Sequence, residues 1–285
     1  MKTLSLSAHA KLNLTLDITG VREDGYHLLR SVMHTVALHD RVTVTAGPAG
    51  ETGVSLTADK PFIPTDGRNT AVQAAGAFCR AAGLALEVRI RIQKRIPVGA
   101  GLGGGSADAA AVLHALDRLT GARLGTERLC EIGLGVGADV PFCVLGGAAE
   151  AAGIGEKLEP LPCLPQMPVV LVKPRLGVST PLVYREFDRT GPGKKPDNDR
   201  AVRALREGNA AELCRACGNV LMPAAAAIRP EIPGLCERLR ALGAAAAEMT
   251  GSGAAVFGLF FREEDAAAAA RELRGGRETV ILTRL

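Results

Sequence analysis

Between residues 97 and 110 the chain reads PVGAGLGGGSADAA, with five glycines among the seven positions from Gly99 to Gly105. Each glycine ordered on folding costs roughly 0.5–1 kcal/mol relative to alanine, so such a cluster is expensive unless bare backbone is needed there. A strand alternating Val88, Ile90 and Ile92 with Arg89, Arg91 and Gln93 leads into it, and a helix over ADAAAVLHALDRLTG, ending at Gly121, leads out. A glycine loop that opens a helix exposes unpaired backbone N–H groups beside the positive end of the helix dipole, equivalent to about half an elementary charge. That is an anion site, to which Ser106, where the helix begins, adds a hydroxyl donor or a metal ligand. A tight strand-to-helix turn uses one or two glycines, and five favour the anion.

Two familiar phosphate motifs are excluded. Gly99-Ala100-Gly101-Leu102-Gly103-Gly104 has the spacing of a dinucleotide fingerprint, but that fingerprint follows a strand buried on both faces, and here arginines occupy alternate positions. The acidic residue expected about 20 residues on, at the end of a second strand, would fall where the sequence reads helix, turn and helix. No Gly-Lys-Ser or Gly-Lys-Thr closes the run, so it is not a Walker loop either.

The loop needs a scaffold, and the pattern supplies one. From Thr3 to Ile18 even positions are apolar and odd ones polar, the period of a half-buried strand or bent strand pair, with Lys11 and Asn13 on its polar face. Asp24-Gly25 marks a turn, RVTVTA from Arg41 is another strand, and Asn69 or Thr70 caps a helix over AVQAAGAFCRAAG that Gly83 stops. Asp139, in GADVP, sits where Pro141 favours an extended exit from a second helix after the loop; on local grounds it is a turn or capping residue. Pro160, Pro162, Pro165 and Pro168 mark a linker. Beyond it come a strand at PVVLVK, a Gly and Lys loop near 191–198, several helices to about Leu242, a strand at AAVFGLFF, a helix at REEDAAAAARELR and a strand at ETVILT. Strands separated by amphipathic helices predict an α+β domain.

Composition limits the partners. A net charge of +4 over 285 residues, no tryptophan and two tyrosines argue against a nucleic-acid binder. The seven cysteines are scattered, with only Cys214 and Cys217 at metal-like spacing and within a helical stretch, so reduced structural thiols are expected. No apolar run approaches the ~18 residues of a membrane span. The alternation through Ala8-His9-Ala10 reads as a strand, not a signal segment, and the expected location is the cytoplasm.

The glycine loop resembles the phosphate loop of the GHMP kinases, of the form Pro-x-x-x-Gly-Leu-Gly-Ser-Ser-x-Ala. Four further stretches match a branch of that family in order: AHAKLNLTLDITGVREDGYH, GADVPFCVLGGAA, GVSTPLVY and MTGSGAAVFGLF. The resemblance implies a two-domain α+β fold. An N-terminal ribosomal-protein-S5-like ATP-binding domain would cover residues 1–156 and a ferredoxin-like C-terminal domain 157–285, with the active site in the cleft between them. It implies ATP and Mg²⁺, no nucleic acid or membrane partner, a monomer or weak homodimer, and an acceptor that is a cytidine-diphosphate-linked methylerythritol, phosphorylated at its 2-hydroxyl in isoprenoid-precursor synthesis. By the same resemblance, Asp139 is the general base and Lys11 the cation beside it. Residues Pro97, Val98, Gly99, Ala100, Gly101, Leu102, Gly103, Gly104, Gly105, Ser106 and Ala107 hold ATP, Asn69 and Lys94 contact adenine, and Ser106 is the metal ligand. Asn13, Tyr26, His27, Thr180 and Tyr184 bind the acceptor, the two tyrosines sandwiching cytosine, and Gly251-Ser252-Gly253 lines the same site. Asn219-Val220-Leu221-Met222 departs from the family's Asn-Asp-Leu-Glu. The alternatives are a family member with another small alcohol, or a nucleotide-binding regulator without turnover.

Overall fold

The computed structural model describes residues 1–164 and 166–285. In chain order the first elements are β1 Lys2–Asn13, β2 Thr15–Val21, β3 His27–Pro48, β4 Gly53–Ala58, α1 Thr70–Ala82 and β5 Leu86–Gln93. Helices α2 Gly104–Thr120, α3 Gly125–Leu134 and α4 Val140–Leu145 follow, then strands β6 Ala148–Gly153, β7 Lys157–Leu161 and β8 Pro168–Lys173. The remainder comprises α5 Thr180–Thr190, α6 Asn198–Arg206, α7 Ala210–Ala216, β9 Gly218–Asn219, α8 Met222–Ile228, α9 Glu231–Ala241, β10 Ala246–Met249, β11 Val256–Leu259, α10 Glu263–Leu273 and β12 Thr279–Arg284. The architecture is mixed α+β, as the sequence predicts. It forms two compact units: Met1–Ala10 with Leu38–Ile96 and Gly103–Gly146, and Lys11–Ala37 with Pro97–Leu102 and Gly147–Leu285.

In the first unit β5 pairs antiparallel with the later half of β3, Arg41 opposite Gln93, and parallel with β4. Its alternation works as written: Val88, Ile90 and Ile92 are buried while the arginines face solvent. The parallel β4–β5 pair requires a crossover, which α1 provides. Asn69 caps α1 by accepting from the Ala71 N–H, and Gly83, left-handed at φ +64°, ends it. Helix α2 starts two residues earlier than Ser106, because Gly103 at φ +68° takes the cap position and its carbonyl accepts from the Ala107 N–H at 2.8 Å. Gly104 and Gly105 therefore belong to the helix's first turn.

The expected extended exit at Asp139 is not what forms. Asp139 has helical backbone angles, φ −83° and ψ −10°, and α4 begins directly after it. Pro141 is tolerated in the first turn of that helix because its missing N–H would have found no intrahelical acceptor there.

In the second unit β2 and β6 flank the early half of β3, both antiparallel, with a register shift between Ile18 and Gly20, and β7 extends β6. Strand β9 lies parallel to β2. A separate antiparallel sheet runs in the order β10-β11-β8-β12, and Val170, Leu239, Val256 and Phe260 are among the residues of its buried core. The proline-marked linker contains strand after all: Pro160 lies in β7 and Pro168 opens β8, the one strand position where a missing N–H is least costly. Pro165 lies outside the described residues.

Candidate active site

The first part of the glycine loop, residues 97–102, is held from both sides within the second unit. The Lys11 N–H, near the end of β1, donates to the Leu102 carbonyl at 3.0 Å, and the Ala255 N–H donates to the Ala100 carbonyl at 3.3 Å. Thr250 Oγ1 donates to the Gly101 carbonyl at 3.4 Å. Gly101 is required twice over: its φ is +74°, and a Cβ there would stand 2.2 Å from the Thr250 carbonyl oxygen. Gly251, in the Gly251-Ser252-Gly253 turn, lies against the same residue, its Cβ position 3.1 Å from the Gly101 carbonyl. Gly99, at φ +63°, has no protein atom within 4 Å of its Cβ position, while its carbonyl oxygen packs against Gly177, 2.6 Å from the position a Cβ would take there. Ala100, Leu102 and Ala107 bury their side chains and offer only backbone groups, whereas Val98 is exposed.

Lys11 and Asn13, which local sequence would leave as solvated strand residues, are both buried at 4% exposure. Lys11 Nζ donates to Asn13 Oδ1 at 2.5 Å, and Asn13 Nδ2 donates to Ser31 Oγ at 2.8 Å. The Asn13 N–H donates to Thr250 Oγ1 at 3.0 Å, so Thr250 joins the strand to the glycine loop. Asn219 anchors the same turn from behind: its Nδ2 donates to the carbonyls of Met249 and Gly251, both at 2.8 Å. That is a polar role at the start of the stretch whose departure from the family pattern left one in question.

His27 stacks, tilted, on Tyr184 with ring centroids 4.9 Å apart and meets Phe187 edge-on at 5.8 Å. Its Nε2 is 2.6 Å from the Asp188 carboxylate. Tyr26 is mostly exposed, its N–H bonded to Asp24. Thr180 shares a 2.7 Å hydrogen bond with Ser252, which joins two separately matched stretches.

In the first unit Asn69 is spent on its cap and on donating to the Pro64 carbonyl at 2.7 Å. The Lys94 side chain is 6% exposed, and its ammonium bridges Asp40 and Asp108. Ser106 Oγ lies 3.9 Å from the Cβ position of Gly137, two residues before Asp139. Asp139 occupies the cap position of α4 but its carboxylate makes no capping bond to that helix. No group of three His, Cys, Asp or Glu residues that could hold a metal occurs among the described residues, and none of their helices is long and apolar enough to cross a membrane. Sequence reasoning missed Asp40, Asp108, Thr250 and Asp188. Asp108 lies inside the glycine motif and Thr250 inside the matched stretch MTGSGAAVFGLF, whereas Asp40 and Asp188 carried no signal.

Residues 69–147 match the family model of the GHMP kinases N terminal domain and residues 201–276 that of the GHMP kinases C terminal domain. The chain belongs to the GHMP kinase family and is a phosphotransferase. Within that family it is similar to the 4-diphosphocytidyl-2-C-methyl-D-erythritol kinase of Caldicellulosiruptor saccharolyticus, 42% identical with 98% of this chain and 95% of the relative covered. It is 43% identical to the enzyme of the same name from Pelotomaculum thermopropionicum, over 97% of this chain and 96% of that one. A crystal structure of 4-(cytidine 5'-diphospho)-2C-methyl-D-erythritol kinase superposes with a TM-score of 0.80 at 39% identity, covering 99% of this chain and all of the other. Homoserine kinase from Cytophaga hutchinsonii shares the fold at a TM-score of 0.78 and 18% identity.

Proposed function

We propose that this chain transfers the γ-phosphoryl group of ATP to the 2-hydroxyl of 4-diphosphocytidyl-2-C-methyl-D-erythritol. The observation that carries the reading is the buried Lys11–Asn13 pair on β1, hydrogen-bonded through Lys11 and Thr250 to a glycine loop that leads into a helix. The acceptor's identity is supported by relatives of that name at 40–43% identity over nearly the whole chain.

Phosphoryl transfer asks for a polyphosphate cradle, positive charge at the moving group, an acceptor for the hydroxyl proton and alignment. The N–H groups of residues 97–107 supply the cradle. Asp139 takes the proton as the acceptor oxygen bonds to the γ-phosphorus and the bond to the β-phosphate oxygen breaks, releasing ADP. Lys11 stabilises the charge on the transferring group, and Asn13, held by Ser31, orients the acceptor's hydroxyls. Tyr184, with Tyr26, stacks on cytosine while His27, fixed by Asp188, reads its polar edge and Thr180 contacts the erythritol diphosphate. The one hydroxyl of Ser106 suits Mg²⁺, which keeps most of its water and binds largely through substrate phosphates; that ion would neutralise phosphate charge. Residues 1–156 carry ATP binding in this reading and residues 157–285 contribute to acceptor binding.

A coupled assay of ADP release with the cytidylyl alcohol tests the proposal: release that depends on that alcohol is expected. ADP release that ignores it, or occurs only with another alcohol, overturns it.

A further inference from the structure

Three charged side chains, Asp40, Lys94 and Asp108, are buried together in the first unit. Lys94 Nζ donates to Asp40 Oδ2 and, at 2.7 Å, to Asp108 Oδ2. Asp40 Oδ1 accepts from the backbone N–H groups of Arg95 and Ile96, and Asp59 Oδ1 accepts from the Lys94 N–H at 2.9 Å. The last three residues before Pro97 thus have their amides fixed by carboxylates. On the far side of the loop, Asp108 lies one turn along α2 from Gly104. A Cβ on Gly104 would stand 3.3 Å from Lys94 Nζ and 3.0 Å from Ile96 Cγ2. The ammonium therefore packs directly beneath the helix's first turn.

We propose that Asp108 is a positioning residue for the polyphosphate loop: through the Lys94 ammonium it ties the first turns of α2 to Asp40 and to the backbone from which the loop departs. The inference rests on the nucleotide-binding reading given above and adds to it a residue that acts through others. The network also has a charge state. One ammonium faces two carboxylates, and Asp108 Oδ1 is buried with no hydrogen-bond partner among the described residues. An isolated carboxylate oxygen there is costly, and a proton on the carboxyl lowers that cost. Burial, with the Asp40 charge adding and Lys94 opposing, pushes the Asp108 carboxyl up to about 7. Burial also works against the Lys94 ammonium, but the two carboxylates outweigh it and hold Lys94 above its ordinary range.

Lys94, after β5, and Asp40, on β3, are the charged groups facing Asp108. Helices α1, α3 and α4, packed on α2, bury apolar side chains and one titratable group, the Cys79 thiol.

The test is ADP binding to the full chain by titration calorimetry for the wild type, Asp108→Asn and Asp108→Ala at one pH, with KM for ATP and for the acceptor measured beside it. Asp108→Ala, which unties α2 from Lys94 while Asp40 and Asp59 still hold residues 94–96, should bind ADP about tenfold more weakly than the wild type and raise KM for ATP but not for the acceptor. Asp108→Asn keeps an oxygen that accepts from Lys94 and should restore ADP affinity to within about threefold of the wild type. Should the alanine variant fail to fold, Asp108→Ser makes the same test. A folded alanine or serine variant with wild-type ADP affinity, or a loss that the asparagine variant does not restore, overturns the inference alone. No ADP binding by the wild type overturns the nucleotide reading and the inference with it.

Discussion

The Lys11 ammonium reaches Asn13 Oδ1 at 2.5 Å across one intervening residue of β1, with both side chains buried. Alternation along a strand places positions two apart on one face, so this pair is preset by the sequence once the strand forms. In Lys11→Met the Asn13 oxygen loses its donor and the transferring phosphoryl loses its cation. The expected result is a kcat lowered by roughly 10²–10³-fold, with ADP affinity within about threefold of wild type since the loop's own bonds to β1 use the backbone. Steady-state kinetics and calorimetry together check this; an unchanged kcat removes Lys11 from the mechanism.

Asp139→Asn keeps the size and shape of the side chain, and no capping bond to α4 is lost with the charge. Turnover should fall by about 10²–10⁴-fold, the range for loss of a general base, while KM for both substrates stays near its original value. Equal melting temperatures for variant and wild type would separate this from unfolding.

Gly101→Ala and Gly99→Ala form a matched pair. Both residues have φ above +60°, but only at Gly101 would a Cβ collide with backbone, at 2.2 Å from the Thr250 carbonyl. Left-handed strain costs about 1–3 kcal/mol in each, and Gly101→Ala should lose more, since the loop or the 249–253 turn must move. Urea unfolding should rank Gly101→Ala below Gly99→Ala in stability; the reverse order contradicts the packing described.

Tyr184→Ala should raise KM for the acceptor by roughly 5- to 150-fold, the equivalent of about 1–3 kcal/mol of base stacking. KM for ATP should not change. Asp188→Asn, which loosens His27 from its 2.6 Å partner, should act in the same direction more weakly.

Much of the scaffold was legible beforehand. The period-two runs gave β1, β2 and β5, and the cap residues Asn69 and Gly83 bounded α1. Strand β6 was not foreseen, because AAEAAG has no β-branched or aromatic residue and becomes a strand by pairing with β3. Strand β3 was visible only from Arg41 onward, its early half, HLLRSVMH, lacking a strict alternation. At the site, the glycine loop and the Lys11–Asn13 spacing could be read locally. The Asp40–Lys94–Asp108 cluster could not, since its members lie 54 and 14 residues apart and meet only in the fold.

Stability should depend on pH through Asp108. Its folded pKa, raised by burial to about 7, exceeds the ~3.9 of an unfolded aspartate, so the folded state holds the proton longer. Stability from this group is therefore greatest at acid pH, declines as pH rises from about 4 to 7, and is level above that. Urea midpoints near pH 5.5 and pH 8 should show Asp108→Asn gaining on the wild type toward the alkaline side. A parallel pair of curves would contradict it.

The most direct measurement is ³¹P NMR of purified enzyme with ATP, Mg²⁺ and 4-diphosphocytidyl-2-C-methyl-D-erythritol. A new phosphomonoester coupled to the carbon bearing the 2-hydroxyl, formed in step with ADP and absent with Asp139→Asn, is the predicted result. Transfer to a different hydroxyl, none at all, or undiminished transfer by Asp139→Asn would contradict the account.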